Sequence, residues 1–123
     1  MNRMGKSTKH IGNEAEELAA AYLESKDWIV LDRNYFFEKA EVDIVATDRN
    51  FIVFVEVKMR SGTYFGHPEE FVTPAKEKNI KKAAEAWIYE RKMETAIVRF
   101  DIISIVQKGN SAPQITHFED AFL

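Results

Sequence analysis

Two acids and a lysine stand where an apolar run should continue. Residues 51–60 read FIVFVEVKMR, a series of strand-forming side chains broken by Glu56 and Lys58. Asp43 interrupts the preceding run, AEVDIVAT over 40–47, in the same way. Side chains alternate between the faces of a strand, so Phe54, Glu56 and Lys58 share one face and Val53, Val55 and Val57 the other. In the preceding run Val42, Ile44 and Ala46 share a face, with Glu41, Asp43 and Val45 opposite. The intervening TDRN is a turn sequence. A two-residue turn at Arg49-Asn50 sets Val45 opposite Phe54, Asp43 opposite Glu56 and Glu41 opposite Lys58, and a four-residue loop keeps that register.

This register puts two carboxylates side by side, their Cβ atoms about 4.5–5.5 Å apart. Like charges facing each other destabilise a sheet, and a divalent cation is the natural compensation. Mg²⁺, with Mn²⁺ as a substitute, takes oxygen ligands and commonly uses one or two carboxylates plus phosphate oxygens. Asp43 and Glu56 are therefore the candidate metal ligands. Lys58, next along the same face, is placed to polarise an attacking water or to offset charge developing on a phosphate. The competing arrangement is a Glu41–Lys58 ion pair on a solvated face, with Asp43 and Glu56 hydrated. Both runs are otherwise apolar, which points to a sheet covered on both faces.

The elements that would position these groups follow from periodicity. Residues 13–25, NEAEELAAAYLES, read as a helix rich in good helix formers. At 100° per residue, Ala19, Ala20 and Leu23 fall within roughly 60° of Glu16, whereas Glu14, Glu17 and Glu24 cluster on the opposite arc. Glu16 is the one acid of this helix inside its apolar sector, so it joins the candidate site; the alternative is a side chain at the sector's edge that reaches water or a nearby arginine. Strand-like runs follow at 28–37, 40–47 and 51–60. Thr73-Pro74 then makes an N-cap and first helical position for a helix to about Lys92, with Ile80, Ala83, Ala84, Trp87 and Ile88 as its apolar stripe. Strands at 96–106 and 114–118 complete the order α-β-β-β-α-β-β. The expected fold class is α/β, a mixed sheet flanked by helices.

Composition narrows the function. The 123 residues suit a single domain, 46% apolar and 12% aromatic. The absence of cysteine excludes disulfides and thiolate sites and fits a reducing cytoplasm. No run is long and apolar enough for a membrane span, and the N-terminus lacks the apolar core of a signal peptide. Net charge is −3, so overall charge gives no nucleic-acid footprint. Its distribution is less even. Residues 1–12 carry Arg3, Lys6 and Lys9 without an acid and read as a flexible basic arm, and Lys76, Lys78, Lys81 and Lys82 crowd one short segment. Such a run is either a local basic surface or a solvated helix face.

Asp43 followed by Glu56-Val57-Lys58 resembles the PD-(D/E)xK pattern of Mg²⁺-dependent nucleases. The surrounding order of helix, acid-bearing hairpin and helix resembles the restriction-endonuclease-like core. Nearly the whole chain resembles the YraN-like proteins, predicted endonucleases related to archaeal-type Holliday junction resolvases. The matching segments are GNEAEELAAAYL (12–23), RNYFF (33–37), AEVDIVA (40–46), FIVFVEVKMR (51–60), FGHPEEFVTPAK (65–76), RFDII (99–103) and HFEDAF (117–122). The resemblance implies nuclease residues at Glu16, Asp43, Glu56 and Lys58. It also implies DNA as substrate, branched or structured DNA in particular, and a homodimer. Two departures stand out: Ala15 and Ala40 occupy positions where the family usually has glycine. A non-catalytic nucleic-acid-binding module of the same fold is the rival reading, and a protein–protein adaptor a third.

Remaining groups are weaker candidates. Arg33, Arg60, Lys76, Lys81 and Lys82 are the expected phosphate contacts. Tyr64 and Phe65, in the glycine-bearing loop after the ExK strand, either stack on bases or pack under the second helix. That loop lacks a P-loop lysine pattern, so no nucleotide cofactor is expected. His10, His67 and His117 lack metal-ligand spacing and read as loop or surface histidines. Arg99 and Asp101, on one strand face, read as a structural pair.

Overall fold

The computed structural model describes residues 6–61 and 72–122, of which residues 6–13 and 61 are described by their backbone alone. The elements are α1 (Lys6–Ser25), β1 (Ile29–Phe37), β2 (Ala40–Thr47), β3 (Ile52–Ser61), α2 (Pro74–Glu90), β4 (Val98–Gln107) and β5 (Gln114–Phe118). Five strands form one sheet in chain order, β1-β2-β3-β4-β5. All neighbours are antiparallel except β3 and β4, which run parallel. Parallel neighbours need a long crossover, and α2 lies within it. The α/β class, the mixed sheet and the order α-β-β-β-α-β-β are as the sequence predicts.

Consecutive residues divide the core into two layers. Phe54 and Ile102 pack with Val45, Ile80, Ala83, Ala84 and Trp87 on the α2 side. Val53, Val55 and Ile103 pack with Ala15, Ala19, Ala20 and Leu23 on the α1 side. The sheet is thus covered on both faces, which accounts for strands without a polar face. Both helices end in the same local device. Trp28 N–H bonds the Leu23 carbonyl and Asp27 N–H that of Glu24, with Asp27 at φ 67°. Met93 and Lys92 do the same for Ile88 and Tyr89, with Lys92 at φ 57°. These are Schellman turns formed without glycine. Thr73 caps α2 as expected, its Oγ1 accepting the Lys76 N–H at 3.2 Å.

Three expectations need correction. The helix expected over 13–25 begins at Lys6, so residues 6–12 of the basic arm are helical. They carry no apolar stripe, so periodicity gives no sign of a helix there. Val42 does not share a face with Ile44 and Ala46. It packs on the α2 side and they pack on the α1 side, because the alternation of β2 breaks at Asp43. Finally, α2 stops at Glu90 rather than near Lys92. Residues 1–5, and the loop with Tyr64, Phe65 and His67, lie outside the described residues. No described helix is long and apolar enough to cross a membrane.

Candidate active site

The hairpin of β2 and β3 has the expected register, closed by a four-residue loop. Thr47 pairs with Ile52, Ala46 with Val53, Val45 with Phe54 and Ile44 with Val55. Asp48 Oδ1 accepts the N–H groups of Asn50 and Phe51, and Thr47 Oγ1 donates to the Phe51 carbonyl. Beyond Ile44 the ladder ends. Asp43 instead uses its carboxylate, Oδ2 accepting the Val57 N–H at 2.8 Å. That substitution of side chain for backbone turns Asp43 toward the gap at the strand end.

Three acids meet there. Carboxylate oxygens of Glu16 on α1 and of Glu41 and Asp43 on β2 all lie within 4.8 Å of one another. Glu16 is 7% exposed, and its Oε1 is buried without a hydrogen-bond partner among the described residues. The nearest guanidinium nitrogen, Nη2 of Arg33, is 3.9 Å from Oε1, too far for a hydrogen bond. Asn34, on β1, opposes part of the burial penalty on the Glu16 carboxylate. It sits at φ 54°, a backbone conformation that asparagine tolerates better than most residues.

Glu56, 5% exposed, stands beside the three acids rather than among them. Its Oε2 is 2.5 Å from Nζ of Lys76 and 3.4 Å from Nζ of Lys58. The Glu41–Lys58 pair of the competing arrangement gives way to this Glu56–Lys58 contact, and Glu41 joins the acids. Sequence reasoning missed Glu41 as a site residue, although its i, i+2 relation to Asp43 was the available signal. A cleft of about 360 Å³ opens over the group, with Lys39, Glu41, Asp43, Glu56, Lys58 and Lys76 in its wall.

Charge and burial shift the titration of nearly every member. Burial, then the Glu56 charge, raises Asp43 to about 8, against the opposing Val57 N–H bond. Burial raises Glu16, offset in part by Asn34 and Arg33, and burial with the charges of Glu16 and Glu56 raises Glu41. Burial and the adjacent Lys76 lower Lys58 against the pull of Glu56. Burial alone would lower Lys76, but its contact with Glu56 outweighs that and leaves Lys76 raised. Carboxylates pushed up together hold protons more tightly than free carboxylates do, and a bound cation would relieve the same crowding. All their donors are hard oxygens, and one buried oxygen has no partner. The residues therefore fit Mg²⁺ or Mn²⁺.

Residues 15–105 match the profile described as "Uncharacterised protein family UPF0102". The chain belongs to the UPF0102 family. It is 45% identical to a UPF0102 protein of Geobacter sulfurreducens, covering 93% of this chain and 89% of that one. A UPF0102 protein of Geotalea daltonii is 42% identical, with 93% and 90% covered. One from Christiangramia forsetii is 41% identical, with 91% and 92% covered. This is the YraN-like family that the sequence resembles.

In this UPF0102 member the two alanines at usual glycine positions cost nothing in backbone geometry. Ala15 is buried within α1, and Ala40 sits in the β1–β2 ladder opposite Phe37. Glu38, in the turn before it, takes the positive φ. The expected phosphate contacts scatter. Lys76 lies in the cleft, and Arg33 stands behind the acids with Nη1 3.3 Å from Glu17. Arg60 is half-buried near the end of β3, opposite Val106. Lys81 pairs with Glu77 at 2.9 Å and Lys82 with Glu38 at 3.4 Å, both outside the cleft wall.

A second buried carboxylate lies away from this cleft. Arg99 donates to both oxygens of Asp101 at 2.9 Å, the structural pair expected from sequence. His117 is the correction: its ring is buried, with Nε2 2.7 Å from Asp101 Oδ2, rather than at a loop or the surface. It sits on β5, whose register brings it beside β4. The Asp120 N–H adds a fourth bond to Asp101 at 2.9 Å.

Proposed function

We propose that this UPF0102 member is a Mg²⁺-dependent endonuclease that hydrolyses phosphodiester bonds of DNA. The observation that carries the reading is the meeting of Glu16, Glu41 and Asp43 at the ladder end, beside Glu56 and Lys58, with a buried Glu16 oxygen left unpaired. Asp43 and Glu56 are the principal metal ligands in this reading, and Glu16 and Glu41 complete or support the set. Mg²⁺, when bound, supplies neutralising charge to the phosphate and activates water for attack; Mn²⁺ can replace it. Burial in the cleft strengthens each of these charge interactions.

Lys58, with Nζ 3.4 Å from Glu56 Oε2, is the proton-handling group in this reading. Burial and Lys76 lower its affinity for a proton, so its Nζ can orient the attacking water and exchange a proton with it more readily than an exposed lysine. As water forms the new P–O bond and the ester P–O bond breaks, a protonated Nζ offsets the added charge on the phosphate oxygens. Asp43 is fixed by the Val57 N–H, which limits reorganisation during attack. Branched DNA as substrate and a homodimer as the working form rest on the resemblance to junction resolvases; a two-fold enzyme suits cleavage of two strands.

The deciding assay incubates the protein with linear, forked and four-way DNA in Mg²⁺, Mn²⁺ or EDTA. Metal-dependent nicking that disappears in Asp43→Ala and Lys58→Ala is the expected result. Binding of DNA without cleavage in any metal would replace the enzyme with a nucleic-acid-binding module.

A further inference from the structure

Two ammonium groups converge on one oxygen, Glu56 Oε2, and the chemistry above uses only Lys58. Lys76 is the closer of the two, at 2.5 Å against 3.4 Å. It belongs to the first turn of α2, three residues after the cap at Thr73, so its backbone is fixed where the helix meets the cleft. Its side chain is 38% exposed, while that of Glu56 is 6% exposed. The carboxylate is therefore held in place and the lysine has room to swing. A divalent ion and an ammonium held at the same carboxylate repel each other. Cation binding to Glu56 and the Lys76 contact must compete.

We propose that Lys76 is a built-in counterion for Glu56, displaced when a divalent cation binds and then delivered to a phosphate of the nucleic acid in the cleft. The inference rests on the nuclease reading and deepens it, making Lys76 the group that couples cation binding to substrate binding. Before the cation arrives, Lys76 neutralises the most buried acid of the cleft wall. Afterwards its charge is released beside the same wall, which also carries Lys58 and Lys39. A flexible ammonium suits this exchange better than a guanidinium locked in a bidentate pair.

The test measures Mn²⁺ affinity by electron paramagnetic resonance, and DNA affinity by fluorescence anisotropy with Ca²⁺ or with EDTA. Lys76→Met should bind Mn²⁺ about five- to thirtyfold more tightly than wild type. Lys82→Met, which removes a charge from α2 outside the cleft, should change it by less than about twofold. Lys76→Met should also lose about tenfold in the DNA affinity that Ca²⁺ adds to wild type. Lys76→Gln repeats both measurements, with thermal melts confirming that each variant is folded. Normal Mn²⁺ binding by wild type, with Lys76→Met indistinguishable from Lys82→Met, overturns the inference and leaves the nuclease reading standing. A Ca²⁺-dependent DNA gain that survives in Lys76→Met and Lys76→Gln does the same. Wild-type protein that binds no Mn²⁺ overturns both.

Discussion

Asp101 and Asp43 are both carboxylates taken largely out of water, and the fold treats them in opposite ways. Asp101 is fully buried and receives bonds from Arg99, His117 and the Asp120 N–H. Burial would raise its titration, but those bonds outweigh it and hold Asp101 below its ordinary range. Asp43 receives one N–H bond and has Glu16, Glu41 and Glu56 for company. Each burial costs energy, but only the first is compensated by the chain itself. A carboxylate satisfied from within ties β4 to the C-terminal segment. A carboxylate left uncompensated is where an added cation would gain the most.

The comparison breaks most sharply under substitution. Asp43→Asn should lower metal-dependent cleavage by about a thousandfold or more, read from nicking rates, while the protein stays folded. Asp101→Ala should do the reverse. It strands Arg99 and His117 and should destabilise the protein by about 3–5 kcal/mol in urea denaturation. If Asp43→Asn unfolds the protein as Asp101→Ala does, the contrast between the two sites is wrong.

Much of this contrast is readable in the sequence, and the unread part has a physical cause. Strand periodicity and the TDRN turn set the β2–β3 register, which predicts Asp43 beside Glu56. Helical angles alone set Glu16 apart from Glu14, Glu17 and Glu24. Periodicity assumes that alternation continues, however, and it fails where the ladder ends at Ile44 and Asp43 bonds Val57 through its side chain. That is why the Glu41–Lys58 pair does not form. His117 was illegible for a different reason. Its partner lies 16 residues away in sequence, and only the β4–β5 pairing brings the two together.

Proton linkage sharpens the comparison without any assay of activity. Asp43 is raised from 3.8 to about 8, so between those values the unfolded chain releases a proton that the native state keeps. The native state binds more protons, and its stability falls as pH rises through that window. Asp101, held low, acts in the other direction: its contribution is present above its ordinary value and lost as pH falls below it. Denaturation from pH 4 to 9 should show wild type losing stability toward the alkaline side. Asp43→Asn should flatten that arm and gain about 1–3 kcal/mol at pH 8. Saturating Mn²⁺ should restore a similar amount to wild type, about 2.7 kcal/mol at a hundredfold excess over Kd, and nothing to Asp43→Asn.

The smallest effect tests which site Glu41 belongs to. As the partner of Lys58 on a solvated strand face, Glu41→Gln would remove an ion pair, costing up to about 1 kcal/mol and leaving metal affinity unchanged. As a member of the acid group, the same change removes a like charge held near Glu16 and Asp43. The variant should then be about 0.5–1 kcal/mol more stable than wild type at pH 8 in the absence of metal. Its Mn²⁺ affinity should be about tenfold weaker, because the remaining ligands lose a neighbour that orients them and draws in the cation. The two arrangements predict opposite signs of stability change from one substitution. A destabilised Glu41→Gln with unaltered Mn²⁺ binding would move Glu41 out of the site and leave Asp43 with fewer uncompensated neighbours than the contrast with Asp101 requires.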